Sequence, residues 1–166
     1  MLLKGKDVAY LGVLLSLNQL FIILSSVIES NTIILMSLAA LMVGVVIVEF
    51  REKAGIIFYL ASVLLGYILT FDKVEFITYI SFFGLYSIIK HYIEIKIFNK
   101  YISYVIKLIF FNTSLFVMYK MVRLFIPFNM FWWMIIGAQV LFFIYDYAFT
   151  MFINYYIITI KPKLKR

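Results

Sequence analysis

Apolar residues in this chain run for the width of a bilayer instead of alternating with polar ones. Charge clusters and short polar stretches divide them into runs at 8–28, 32–48, 54–70, 76–89, 102–122 and 130–158. A helix needs about 20 apolar residues to cross the hydrocarbon core. The pattern therefore predicts six crossings, the fourth short and the sixth long. Barrel strands would alternate polar and apolar residues over about ten positions, and these runs do not. The predicted fold class is an all-α membrane protein: a six-transmembrane-helix bundle forming one domain over residues 1–166, with no separate soluble domain.

Basic residues give the predicted bundle an orientation. If the first crossing starts inside, one side collects Lys4, Lys6, Arg51, Lys53, Lys90, Lys96, Lys100, Lys161, Lys163, Lys165 and Arg166, with Lys107 just within the fifth span. The other side collects Lys73, Lys120 and Arg123. The division is 12 against 3 and accounts for all 15 lysines and arginines. Cytoplasmic loops carry such an excess, so both termini are expected inside. The outer connections are then 29–31, 71–75 and about 123–129, the last containing Pro127; the inner ones are 49–53 and 90–100. Within the latter, Ile89, Ile93 and Ile97 stand four apart among Lys90, His91, Glu94 and Lys100. An amphipathic interfacial helix and a charged loop are both open there. Trp132, Trp133 and Tyr119 fit an outer aromatic belt, and Tyr155 with Tyr156 an inner one. The first run follows Lys4 and Lys6 as a signal core would. It is too long for one and lacks a small-x-small cleavage site, so it reads as an uncleaved first span.

Composition agrees: 66% hydrophobic and 14% charged residues, with a mean hydropathy of +1.07, leave too little polar surface to cover a globule in water. Ile, Phe, Lys, Tyr and Asn are frequent, which points to an AT-rich bacterial genome and a bacterial cytoplasmic membrane. The absence of cysteine removes disulfides and thiol chemistry. The single histidine, His91, removes a multi-histidine metal site within one chain. The net charge of +7 does not imply nucleic acid, because the basic residues sit at the ends of apolar runs. No Walker, HExxH, GxSxG or DxxD-type motif is present. Neither an enzyme nor a cofactor is expected, and ATP-driven work would need another chain. No internal repeat argues for an inverted-repeat carrier.

Polar residues inside the apolar runs are the candidates for function. An ionisable group in hydrocarbon costs about 2.5–3.5 kcal/mol and faces the bundle interior. Asp146, near the middle of the last run, is the clear case. By depth its partners are Asn112 and Lys107, the latter about 7–8 Å nearer the cytoplasm at 1.5 Å per residue. Structural pairing and a substrate or ion role are both open for Asp146. Asn18, Gln19 and Gln139 stitch helices together or line a polar pocket. Lys120 and Arg123, three apart on one helix face, anchor the helix in headgroups or form a cationic mouth with Glu29, Asn31 and Thr32. Gly12 and Ser16, and likewise Ser62 and Gly66, have the small-xxx-small spacing of close helix contacts.

In its topology, and in several local features, the chain resembles the substrate-binding S components of energy-coupling-factor (ECF) vitamin transporters. Gly12 and Ser16 stand where that family has an Ala-xxx-Ala-type motif on its first helix. Glu49 and Phe50, followed by Gly55 and Gly66, look like its turn and small-residue third helix, and Phe83-Gly84-Leu85-Tyr86 fits its short fourth helix. The resemblance implies docking through Gly12 and Ser16 on a transmembrane coupling subunit driven by two ATPase subunits. It also implies a small molecule bound in the outer half, for which Glu29, Asn31, Lys120, Arg123, Trp132, Gln139 and Asp146 are the residues to test. Uptake of a vitamin or other micronutrient is the expected function. A non-catalytic membrane scaffold or accessory subunit, including a homo-oligomeric one, is the alternative; a small channel or ion-coupled carrier using Asp146 is a third.

Overall fold

The computed structural model describes residues 4–70, 72–124, 127 and 131–163. Phe71, Asn129, Met130, Lys165 and Arg166, which enter the predicted connections, the sixth span and the basic tail, lie outside the described residues. The elements are α1 (Gly5–Val27), a 3-10 turn (Glu29–Asn31), α2 (Thr32–Leu69), α3 (Lys73–Thr78), a π turn (Tyr79–Phe83), α4 (Gly84–Lys96), α5 (Lys100–Val122) and α6 (Trp132–Tyr155). A second π turn (Tyr156–Ile160) and a 3-10 turn (Lys161–Lys163) complete the last helix. The protein is all-α. Its backbone forms two compact units, Met1–Phe98 and Asn99–Arg166.

Among the described residues, four stretches are long and apolar enough to cross a membrane: Gly5–Val27, Glu29–Leu69, Lys100–Val122 and Trp132–Lys163. They mark the protein as membrane-embedded. The second, 41 residues long, would span about 60 Å as a straight helix, twice the hydrocarbon thickness. It is not straight. At Arg51 the backbone takes φ 70° and ψ 175°, a conformation that L side chains rarely adopt and that costs about 1–3 kcal/mol. The chain reverses there: Gly55 packs on the side chain of Ile47 so closely that a Cβ would not fit, although eight residues of straight helix would separate them by about 12 Å. Helix α1 confirms the two antiparallel legs, because neighbouring residues Asn18 and Gln19 donate to Ala39 O on one leg and Ser62 O on the other.

The first unit is closed by the helical run from Lys73 to Lys96. Asp72 caps it, its carboxylate accepting the backbone N–H groups of Val74 (2.8 Å) and Glu75 (3.1 Å), as N-cap residues do. The predicted fourth span, 76–89, is helical throughout. With Tyr79, Ser81, Tyr86 and Ser87 between charged ends, this run is not among the four most apolar stretches. Tyr79, Tyr86 and Ser87 are instead fully buried inside the unit. The stretch 90–96 forms the last turns of the same helix, and 97–99 is not helical. Glycines set the helix spacing: a Cβ on Gly66 would stand 2.6 Å from the Phe76 ring, and one on Gly84 2.7 Å from the Tyr59 ring. Outside, Ile57, Leu64 and Ile68 are exposed, a surface that suits acyl chains and not water.

The second unit is the pair α5 and α6. Asn99 caps α5 by accepting the N–H of Tyr101 at 2.9 Å. Phe111 and Phe142 stack at 4.5 Å. The outward faces, with Ile109, Phe116, Ile144 and Tyr147, are again apolar.

Candidate functional site

Polar side chains in the first unit form a knot across its four helical segments. Asn18 Nδ2 donates to Ala39 O (2.8 Å) and to the Tyr79 hydroxyl (3.0 Å). Gln19 Nε2 donates to Asn18 Oδ1 (3.1 Å) and Ser62 O (3.0 Å). The Ser62 and Tyr79 hydroxyls lie 2.9 Å apart, and Ser87 Oγ donates to Ala40 O. The π turn matters here, because its extra backbone width places Tyr79 among residues from α1 and both legs of α2. Asn18 and Gln19 thus join helices. Tyr79 and Ser87, which complete the joint, carry no sequence signal beyond a hydroxyl within an apolar run.

At the end of this unit away from Arg51, Glu75 gathers three elements. Its carboxylate accepts from Ser25 Oγ at 3.3 Å and Thr32 Oγ1 at 3.2 Å. Burial holds the Glu75 carboxyl above its usual range, the charges of Asp72 and Glu29 add to this, and the Thr32 and Ser25 hydroxyls oppose it. Glu29 is exposed and contributes its charge to this group. Asn31, at the N-cap of α2, is exposed and makes no capping bond with its side chain. Sequence reading missed Glu75 as a centre, because its partners are 50 and 43 positions away.

At the opposite end, Glu52 lies beside the Arg51 reversal and ties it to α4. His91 Nε2 is 3.8 Å from its carboxylate, and a hydrogen bond to the same group is the main cause that raises the Tyr92 phenol above its ordinary pKa. An open groove of about 690 Å³ runs between these residues and Ile47, Phe50 and Ile95.

In the second unit, Lys107 Nζ lies 3.3 and 3.4 Å from the two oxygens of Asp146, and both residues are buried. This is the pair expected from depth. Asn112 does not accompany it: Asn112 Nδ2 donates to Leu108 O and its Oδ1 accepts from Gln139 Nε2 at 2.8 Å. An open groove of about 510 Å³ runs along α5 alone, lined by Val105, Leu108, Ile109, Asn112, Thr113 and Phe116; of the amide pair only Asn112 is among its walls. Lys120 and Arg123 share a helix face but each folds back on a ring one turn earlier, Lys120 over Phe116 at 5.5 Å and Arg123 onto Tyr119, whose hydroxyl it meets at 3.2 Å. Trp132 opens α6 and is exposed.

Gly12 and Ser16 lie on an exposed face of α1. A Cβ on Gly12 would meet nothing within 4 Å, and Ser16 Oγ donates back to Gly12 O. No protein-family model matches the chain, and no curated protein or solved structure matches it.

Proposed function

We propose that this chain is the substrate-capture subunit of an ATP-driven importer, of the kind it resembles, taking up a small polar micronutrient. In this reading it crosses a bacterial cytoplasmic membrane six times with both termini inside. The two legs of α2 supply the second and third crossings, and residues 76–89 the fourth, with Glu75 at its outer end and 90–96 beyond its inner end. The distribution of charge supports this orientation: in the first unit Lys4, Lys6, Arg51, Lys53, Lys90 and Lys96 belong to the end with the Arg51 reversal, and Lys73 to the other, as the positive-inside rule asks.

The observation that carries the capture reading is the state of the Asn112–Gln139 pair. Asn18, Ser62 and Tyr79 spend their hydrogen-bonding groups on one another. Asn112 spends one N–H on Leu108 O and accepts one from Gln139, so one N–H on each amide and Gln139 Oε1 stay available, with Asn112 on the wall of a groove of ligand size and Gln139 bonded to it. Apolar walls with a few convergent polar groups are what a small-molecule site needs. Lys120 and Arg123, toward the outer end of the same helix, favour an acidic group on the ligand. Asp146, closed by Lys107, serves the fold, which argues against a channel built on a lone intramembrane carboxylate.

Partner dependence is supported by α1. Gly55, Gly66 and Gly84 are all spent on close contacts within the first unit, whereas Gly12 and Ser16 face outward. Small residues on a lipid-facing helix let another helix approach, here the coupling subunit through which two ATPases act. The test is uptake: cells lacking this chain lose ATP-dependent accumulation of the compound extracted from the purified protein. Gly12→Leu keeps the compound bound yet restores no uptake. Normal accumulation in the deletion strain refutes the reading.

A further inference from the structure

The reversal between the two legs of α2 is made by an arginine where glycine would fit without strain. Arg51, at φ 70° and ψ 175°, is the one residue with a positive φ among those described, and no glycine stands in the turn at 49–53. Backbone held in a region that is essentially glycine's gathers at ligand clamps and switches. What an arginine adds there is a side chain that glycine lacks.

That side chain lines the open groove of about 690 Å³ at this end of the first unit, and Lys53 lines it too. Both cations are exposed. Among the described residues neither makes a hydrogen bond or an ion pair. Other charges nearby are engaged. Glu52, also on the wall, is hydrogen-bonded to Tyr92 and lies 3.8 Å from His91 Nε2, while the buried Lys90 meets Glu94 at 3.1 Å. Two cations against one carboxylate leave the groove walls positive even with His91 neutral.

The rest of the lining is hydrocarbon. Ile47, Val48 and Phe50 come from the end of the first leg of α2, and Ile95 comes from α4 and is exposed. A free phosphate has no use for such walls, whereas an amphiphile fills both parts. Basic pockets between membrane helices take the headgroups of anionic lipids in this way.

We propose that the groove at the Arg51 reversal holds one anionic phospholipid, its phosphate on Arg51 and Lys53 and the start of an acyl chain against Ile47, Val48, Phe50 and Ile95. A planar guanidinium suits the phosphate because it offers two parallel N–H donors. The excess of cations favours a lipid of net negative charge over a zwitterionic one. The site needs only a membrane face at this end of the unit. The orientation proposed above makes that face cytoplasmic, and nothing in the site depends on the groove along α5.

The experiment adds phosphatidylglycerol or phosphatidylethanolamine to full-length protein, delipidated in detergent, and counts bound lipids by native mass spectrometry. Wild type is expected to hold one phosphatidylglycerol per chain, to hold phosphatidylethanolamine more weakly, and to keep the former in an excess of inorganic phosphate. Arg51→Gly relaxes the backbone and removes the guanidinium together. Its lipid-free thermal midpoint is expected at or above that of wild type, while its affinity for phosphatidylglycerol falls roughly fivefold, the effect of about one cation at an anionic membrane surface. Lys53→Gln, which leaves the strained residue in place, gives a similar fall. Lys96→Gln, exposed at the same end but off the groove walls, changes nothing. Equal retention of the two lipids, displacement by inorganic phosphate, unchanged binding in both groove variants, or an equal fall in Lys96→Gln each overturn the proposal. A chain that holds phosphatidylglycerol but no other small molecule removes the capture reading and keeps this one.

Discussion

Lys107 Nζ bridges both carboxylate oxygens of Asp146, 39 positions further on, and the two buried charges close the hairpin of α5 and α6. Removing one partner leaves the other charge uncompensated in a low-dielectric interior, at about 3–5 kcal/mol. Asp146→Asn and Lys107→Met are each expected to lower the unfolding midpoint of the purified protein markedly. The double replacement Lys107→Met with Asp146→Leu recovers most of the loss, as apolar substitutes for buried pairs do. A double variant no better than the singles would show that the pair does more than neutralise itself.

The knot of the first unit makes a graded prediction. Tyr79→Phe deletes a hydroxyl that meets both Asn18 and Ser62, while Asn18 keeps Ala39 O and Ser62 keeps Tyr59 O. The expected cost is about 1–2 kcal/mol in a denaturation series. Asn18→Leu, which leaves the Tyr79 hydroxyl, Ala39 O and the Gln19 amide short of partners together, costs more.

Glycines of the same composition are expected to respond oppositely. Gly66→Ala drives a methyl against the Phe76 ring, an overpacking that costs about 1–3 kcal/mol. Gly12→Ala meets open space and leaves stability unchanged or slightly raised. Thermal midpoints of the two variants in one detergent decide this directly.

Glu75 gives the protein a pH dependence whose sign can be worked out. A carboxyl raised in the folded state favours folding in its protonated form, so its contribution is complete below the unfolded value of 4.5 and is lost as pH rises through the folded pKa. Wild-type stability is therefore expected to fall as pH is raised from about 4.5, and Glu75→Gln to remove that component of the slope. Equal slopes in the two proteins would place the titration elsewhere.

The sequence made the α-helical class, the apolar runs and the Lys107–Asp146 pair legible, because each rests on depth along a single axis: hydrophobic length, or position within a span. The turn at 49–53 was marked by its charges. Its form was not legible, since Arg51 takes a positive φ without the glycine that would have announced it. Lateral neighbours were harder. Asn112 was placed beside the ion pair by depth, yet its partner is Gln139, because a helix rotates 100° per residue and depth says nothing of azimuth. The same limit hid Glu75, whose partners come from α1 and α2. It also left Lys120 and Arg123 open between headgroup anchor and cationic mouth, because a spacing of three puts both on one face without showing that each lies over an aromatic ring one turn back on its own helix.

The groove along α5, with Asn112 on its wall and Gln139 bonded to Asn112, is expected to hold a small molecule. Native mass spectrometry of the detergent-purified protein tests it most directly, since it reads bound mass and chain stoichiometry together. The expected spectrum shows one small molecule per wild-type chain, lost from Gln139→Ala, with the Lys107–Asp146 hairpin still folded. Wild-type protein that is ligand-free in repeated preparations, or a ligand retained equally by Gln139→Ala, would contradict the account.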